Sequence, residues 1–332
     1  MKKRRVIRSD VAGYFIRRLI AVLVLCLGVI AHAQDFPSRP LKIVVTYPPG
    51  GGTDITARIV AKRLSERLGQ PVIVENKAGA GGSIGMAAVA SSPPDGYTLV
   101  LGNPGPNAIN PAIYAKLGYD GEKDFAPITV LTVMPLLLCV DVSSPVKTVA
   151  DLIALGRGGE PVQFGSSGNG SVSHLAGEMF NMMAGTKFVH IPYKGASPLT
   201  TAALSGEVQL SLLAAPDAVR QIKADKLRAI ASTSSTRSPL LPEVATLAES
   251  GLAGFHIEIW YGLLAPASTP RAIVGRLHKE LQAILGEPVI RERLMALSQL
   301  PSSTSPDEFL DLIRSDAAKY ARLVKATGAR ID

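Results

Sequence analysis

The sequence predicts an α/β fold of two lobes, each built on a mostly parallel sheet. Three observations carry that reading. Short apolar runs rich in β-branched residues alternate with amphipathic runs of helical period. Small-residue turns at 48–54, 76–85 and 165–173 each join a strand-like run to a helix-like run. The chain of 332 residues is too long for one small domain, and its 47% apolar residues fill sizeable cores.

The elements follow in order. "LKIVVTY" (41–47) is a strand, and Ile55, Ile59, Val60 and Leu64 recur at helical spacing over 53–68. "PVIVE" (71–75) is a second strand, its Gly-rich turn opens into the helix "MAAVASS" (86–92), and "YTLVLG" (97–102) is a third. This βαβαβ series implies parallel pairing with helices on both faces. The pattern then returns with other residues: strand 135–142, helix 149–157, strand 162–165, helix 174–185, and strands within 187–195, 208–215, 227–233 and 257–266. Helices at 270–285, 288–297 and 306–327 close the chain, each with a proline at or near its start, where a missing N–H costs nothing. No repeat and no low-complexity linker is present. Two crossing strands near 132–140 and 255–264 would therefore join lobe 1 (34–135 plus 260–332) to lobe 2 (136–259).

The formal charge of +8 belongs to the N-terminus. Seven of the 35 Lys and Arg residues, but one of the 27 acids, fall within the first 33 positions, leaving 28 bases against 26 acids. A basic start, an apolar run over 19–31 and the small residues Ala31 and Ala33 read as a signal peptide cleaved after Ala33, with the periplasm as destination. That run is too short to span a bilayer. Arg4-Arg5 and Arg17-Arg18 leave twin-arginine export open beside the general route. Cleavage removes Cys26 and leaves Cys139 without a disulfide partner. The near-neutral mature chain and its 5% aromatic content speak against nucleic acid.

The stretch "YPPGGGTDITAR" (47–58) has the layout of a nucleotide loop but not its residues. After Gly50 and Gly52 the third glycine position of the dinucleotide fingerprint is Ile55, and no Gly-Lys-Ser/Thr follows. What remains is general physics: glycines let backbone approach a ligand, and a helix N-terminus presents free N–H groups with partial positive charge. No Lys or Arg lies within 47–57 or 164–175, which suits a carboxylate better than a polyphosphate. The expected donors are the amides of Gly50, Gly51, Gly52, Thr53 and Asp54, with the hydroxyls of Thr53, Ser166, Ser167, Ser171 and Ser173. The plainer alternative is a tight turn with Thr53 as helix cap. "GSSGNGS" (165–171) is not a nucleophile elbow, because Gly168 comes one residue early; His190 and Asp217 are at most conceivable partners for a hydrolase. His174 and Glu178 share a helix face, but no third metal ligand is identifiable. Tyr193 and Lys194 follow a strand, where Lys194 either pairs with an acidic ligand or sits in solvent. Trp260-Tyr261, on the second crossing segment, either floors a cleft or only packs, and the cleft is the preferred reading.

"YPPGGGTDITAR", "VENKAGAGGSIG", "PDGYTLVLG", "GSSGNGSVSHLAGEMF" and "HIPYKGASP", in this order, resemble the Bug proteins, extracytoplasmic solute receptors of tripartite tricarboxylate transporters. The resemblance spans essentially the whole mature chain. It implies a two-lobed periplasmic binding protein fold (type II, Venus flytrap) closing on a small organic acid. It further implies delivery to a permease with a large and a small subunit, and neither catalysis nor a cofactor. By the same resemblance the backbone of Pro49–Asp54 with Thr53 faces Ser166, Ser167 and Gly170 across the ligand, partly through ordered waters. Ala80, Gly81, Gly82 and Asn103 would line lobe 1. Tyr47, His174, Tyr193, Lys194 and Asp217 complete the candidate ligand-binding residues, no metal ligand is expected, and the chain is expected to act as a monomer. Gly52 stands where many members carry a proline, and no Lys or Arg clamp marks a tricarboxylate. A periplasmic hydrolase or other small-molecule enzyme on the same fold is the alternative.

Overall fold

The protein, as a computed structural model, is described over residues 36–328, so the expected export signal at 1–33 lies outside the described residues. From Arg39 onward the chain forms one compact unit. Ten strands build one sheet: β1 (Leu41–Val45), β2 (Val72–Asn76), β3 (Thr98–Gly102), β4 (Phe125–Asp141), β5 (Gln163–Ser166), β6 (Val189–Pro192), β7 (Leu210–Ala214), β8 (Leu227–Ser232), β9 (Glu258–Pro266) and β10 (Leu300–Pro301). Their order is β2-β1-β3-β9-β4-β7-β5-β6, with β8 and β10 also paired to β4.

The expected parallel pairing is found at the two outer groups, β2-β1-β3 and β6-β5-β7. Every pair that includes β4 or β9 is antiparallel, so the whole sheet is mixed. The two groups are joined by β9, which pairs with β3, and by the longer β4, which pairs with both β9 and β7. The first part of β4 pairs with β9 as far as Pro135↔Glu258, and its second part pairs with β7 from Leu136↔Ala214. Pro135 has no N–H and stands where β4 changes partners. Next to it the Leu136 amide donates to Thr233 Oγ1 at 2.9 Å, off the regular ladder. The earlier Pro127 sits at a register shift, the position a sheet tolerates for proline.

The helices follow local sequence. α1 (Gly52–Leu68) buries Ile59, Val60, Leu64 and Leu68 and ends at Gly69, whose φ of 66° lets its N–H reach Ser65 O at 3.0 Å. After it come α2 (Ser83–Ala90), the short α3 (Asn110–Ile113), α4 (Val149–Arg157), α5 (Val172–Ala184), α6 (Ala196–Ser205), α7 (Ala215–Lys223), α8 (Arg271–Gly286), α9 (Pro288–Ala296) and α10 (Pro306–Thr327). α4 starts with a capping box of Thr148 and Asp151, and α10 with one of Ser305 and Glu308. Among the described residues no helix is long and apolar enough to cross a membrane.

α10 belongs to two cores. Phe309 and Ile313 pack with Val100, Val130 and Trp260, while Tyr320, Leu323 and Val324 pack with Phe164, Leu175 and Phe180. The last helix thus touches the cores of both sheet groups, which a division into segments 260–332 and 136–259 does not express. Its seat on β9 depends on Gly262: an added Cβ there would run into the Phe309 ring. Gly262→Ala should therefore cost roughly 1–3 kcal/mol as an overpacked core. Urea unfolding would check this, and a native-like midpoint would mean that α10 can shift at no cost.

Candidate functional site

The first turn holds its glycines open by means of Asp54. Oδ2 of Asp54 accepts the Gly50 amide at 3.0 Å, Arg58 Nε donates to both carboxylate oxygens at 3.0 Å, and Asn76 Nδ2 donates to Oδ1 at 3.0 Å. Burial works to raise the Asp54 pKa, but these donors outweigh it and hold the carboxyl below its usual range. Asp54 is thus an anionic anchor whose side chain is committed to the protein. Pro49, Gly50 and Gly51 are exposed, and Gly50 adopts φ +86°, a conformation that glycine takes without strain.

α1 starts with Gly51 as its N-cap and no side-chain cap, so Thr53 is not the capping residue. The first intrahelical bond is made by Ile55 N to Gly51 O at 3.0 Å. The amides of Gly52, Thr53 and Asp54 therefore have no carbonyl within the helix. Among the described residues, nothing pairs with them or with the Thr53 hydroxyl. The floor beneath is Tyr261, whose hydroxyl oxygen lies 3.0 Å from where a Gly52 Cβ would be. Any side chain at 52 would crowd that phenol. Thr56 and the buried Gln299, two residues the sequence did not single out, hold this helical turn: Thr56 Oγ1 is 2.8 Å from Gly52 O and 2.7 Å from Gln299 Oε1.

The second turn stands beside the first. Gly79, Ala80, Gly81 and Gly82 all have positive φ, and Ala80 at φ +46° does so without the freedom of glycine. Tyr47 Oη donates to Gly81 O at 3.4 Å, and Asn110 Nδ2 donates to the same carbonyl at 3.1 Å. Burial pushes the Tyr47 phenol up to about 12, which keeps its O–H a donor at neutral pH. Asn103 follows β3, parallel neighbour of β1; its Oδ1 accepts the Gly105 amide at 3.0 Å, while its buried amide N–H faces the Tyr47 phenol and works to lower that pKa. Asn107 Nδ2, in the wide π-helical turn Gly105–Ile109, is a buried donor without a partner among the described residues. Such turns recur at functional sites, and nothing in the local sequence marked this one.

The serine-rich turn after β5 is built differently. Its amides are consumed by its own side chains: Gly168 N donates to Ser166 Oγ at 3.2 Å, Ser167 N to Ser173 Oγ at 3.0 Å, and Gly170 N to His174 Nδ1 at 3.1 Å. Ser171 caps α5 by accepting the His174 amide at 3.1 Å. Ser167 Oγ, on a half-buried residue, lies 3.0 Å from Ser173 Oγ and stands at the rim. Ser166 is fully buried and bonds His190 Nε2 at 2.6 Å. That is the spacing of a nucleophile and a base, but a wholly buried hydroxyl meets no substrate. His190 lies between Phe164 and His174, its centroid 4.9 and 3.8 Å from theirs, so this pair is packing that shapes the turn. The His174 and Glu178 side chains stand 3.9 Å apart, and among the described residues no three His, Cys, Asp or Glu groups cluster as metal ligands. The Tyr193 amide donates to Ser166 O at 3.0 Å; burial, and then the Glu207 carboxylate beside its hydroxyl, raise that phenol to about 12. Lys194 is exposed.

The structure thus gathers two groups of predicted residues. Tyr47, 49–54, 80–82 and Asn103 stand together at the carboxyl ends of β1 and β3, and Ser166, Ser167, Gly170, His174 and Tyr193 at that of β5. Among the described residues no hydrogen bond joins the two groups. Tyr261, between them on β9, has its phenol pKa raised by burial and then by the nearby Tyr47 and Asp217. Trp260, read from sequence as part of the same floor, is instead core: successive residues of a strand face opposite ways.

A family model for the tripartite tricarboxylate transporter family receptor matches residues 56–329. The chain belongs to this family. BugT of Bordetella pertussis is 34% identical over 318 residues, covering 94% of this chain and 97% of that one. An R. palustris protein solved with adipate is 35% identical with a TM-score of 0.82, covering 90% of this chain and all of the other. The periplasmic binding protein BugD is 33% identical with a TM-score of 0.78, covering 89% and 99%. The fold is therefore the two-lobed α/β fold of this receptor family, and the family is one of solute-binding receptors, not of enzymes.

Proposed function

We propose that this chain is a periplasmic receptor that captures a small organic acid through its carboxylate and presents it to the membrane permease of a tripartite transporter. The observation that carries this reading is the uncapped start of α1. Three amides and the Thr53 hydroxyl stand without partners at a helix N-terminus, beside glycines held open and without a cationic side chain. Such a site suits one carboxylate, and the adipate-bound relative is in keeping with it. Ser167 on the other turn supplies hydroxyl contact from the facing side. Segments 34–135 with 260–332 and 136–259 act as the lobes, with α10 shared between their cores, and closure bends the chain where β4 changes partners at Pro135. The mature receptor begins after Ala33 and works as a monomer.

A thermal-shift screen of the mature protein against mono-, di- and tricarboxylates, aromatic acids and amino acids tests the reading. A true ligand at 100 times its Kd should stabilise by about 2.7 kcal/mol. No shift with any acid, together with turnover of an ester or amide, would refute it. Thr53→Ala and Ser167→Ala should each weaken the ligand by roughly 1–3 kcal/mol if the hydroxyl is a desolvated donor. Unchanged affinity in both would put the site elsewhere.

A further inference from the structure

Asp217 does not fit a receptor for a plain dicarboxylate. It lies in the first turn of α7, directly after β7. β7 runs parallel to β5, so α7 starts at the same sheet edge as the serine-rich turn. An aspartate at a helix start is favoured by the helix dipole. That accounts for the sign of the charge but not for its setting. The residue is half-buried, α7 has no side-chain cap, and among the described residues no donor pairs with this carboxylate. Burial raises its pKa, with Arg220 only partly opposing. Asp217 and Tyr47 are both electrostatic neighbours of the Tyr261 phenol on the floor strand, which runs between the two turns.

The two sides of the site therefore differ in kind. Lobe 1 offers donors: the free amides of Gly52–Asp54. Asp217 offers an acceptor with a full negative charge. A half-buried carboxylate without a donor is unfavourable until something supplies one, and a charged donor does so about twice as well as a neutral one. A second carboxylate on the ligand would instead put two anions near each other, with Arg220 offsetting only part of the Asp217 charge.

We infer that the ligand carries, apart from its carboxylate, a proton-donating group (ammonium, amide or hydroxyl) that Asp217 accepts, so that the receptor selects amino, amido or hydroxy acids over plain dicarboxylates. The inference rests on the carboxylate-receptor reading and sets this chain apart from its adipate-bound relative. Isothermal titration of the mature protein with straight-chain acids of four to six carbons tests it. The probes are the α- and ω-amino acids, the ω-amides and the ω-hydroxy acids, each against the diacid of equal length: succinate, glutarate and adipate. The native protein should bind at least one donor-bearing acid ten times or more tighter than the matching diacid. Asp217→Asn should reduce that ratio at least tenfold, and Asp217→Ser, a second variant at this half-buried position, should do the same. A native preference for the diacid, or a ratio within twofold of native in both variants, overturns the inference and leaves the carboxylate reading standing. If no acid in the series binds, this inference falls, and the wider acid screen alone decides the carboxylate reading.

Discussion

Trp260→Ala should destabilise the protein by about 3–5 kcal/mol, whereas its neighbour Tyr261→Phe should leave stability almost unchanged and weaken ligand binding. The two side chains leave β9 on opposite faces. Trp260 is 2% exposed, meets Phe309 edge to face at 5.0 Å and 85°, and donates its indole N–H to Asp316 Oδ2 at 2.9 Å. Asp316 is itself buried and keeps Lys319 at 2.8 Å. Truncation to alanine therefore opens a large cavity and takes one donor from a buried carboxylate, two costs of the kind that dominate severe variants. Tyr261 contributes a hydroxyl beneath Gly52, and burial keeps it protonated at neutral pH. Removing that hydroxyl should cost roughly 1 kcal/mol of affinity if it donates to the ligand or to an ordered water. Urea unfolding and ligand titration of both variants separate the roles. A native-like Trp260→Ala midpoint would sink the core assignment, and unchanged affinity in Tyr261→Phe would take the phenol out of the site.

What the sequence made legible is what local pattern encodes. α4 lies over the residues its periodicity marked, and α9 and α10 begin at the prolines that announced them. The free amides at Gly52–Asp54 were legible too, since three glycines before an apolar stripe leave a helix start without a side-chain cap. The first seven residues of β4, ahead of the crossing strand expected near 132–140, were not, because Pro127 reads as a breaker and becomes strand only at a register shift against β9. α6 and α7 also escaped: both are rich in small residues, and Pro198 and Pro216 in their first turns resemble loop signals. The long-range contacts had no local signature at all. Thr56 meets Gln299 across 243 positions, Asp54 meets Asn76 across 22, and Ser166 meets His190 across 24. The mixed sheet has the same origin. Alternating strands and helices predict parallel pairs, but β4 and β9 lie between the two groups and pair antiparallel with their neighbours.

The paired histidines make stability depend on pH, and here the sign is opposite to that of a histidine in an ion pair. His174 and His190 stack at 3.8 Å, and each uses a ring nitrogen within the serine-rich turn: Nδ1 of His174 accepts the Gly170 amide, and Nε2 of His190 bonds Ser166. Burial lowers His174 from 6.5 to about 4; burial, and then the neighbouring His174, lower His190 to about 3. The unfolded chain therefore binds protons before the folded one does. Stability is complete above 6.5 and is lost as pH falls, over a window that runs to about 4 for His174 and about 3 for His190. Within its window each histidine costs up to about 1.4 kcal/mol per pH unit. Glu178, raised by burial and 3.9 Å from His174, acts in the other direction, gaining stability as pH falls through its raised pKa, and so offsets part of the loss. Urea unfolding at pH 7.5 and pH 5.0 should show a loss of about 3 kcal/mol, and His190→Asn should reduce that difference by about half. Ligand affinity should hold over this interval and fall only as the pH approaches 4, where the folded protein protonates His174 and a proton on Nδ1 displaces the Gly170 amide that orders the turn. Equal stability at the two pH values would mean that the stacked rings are hydrated and titrate as free histidines.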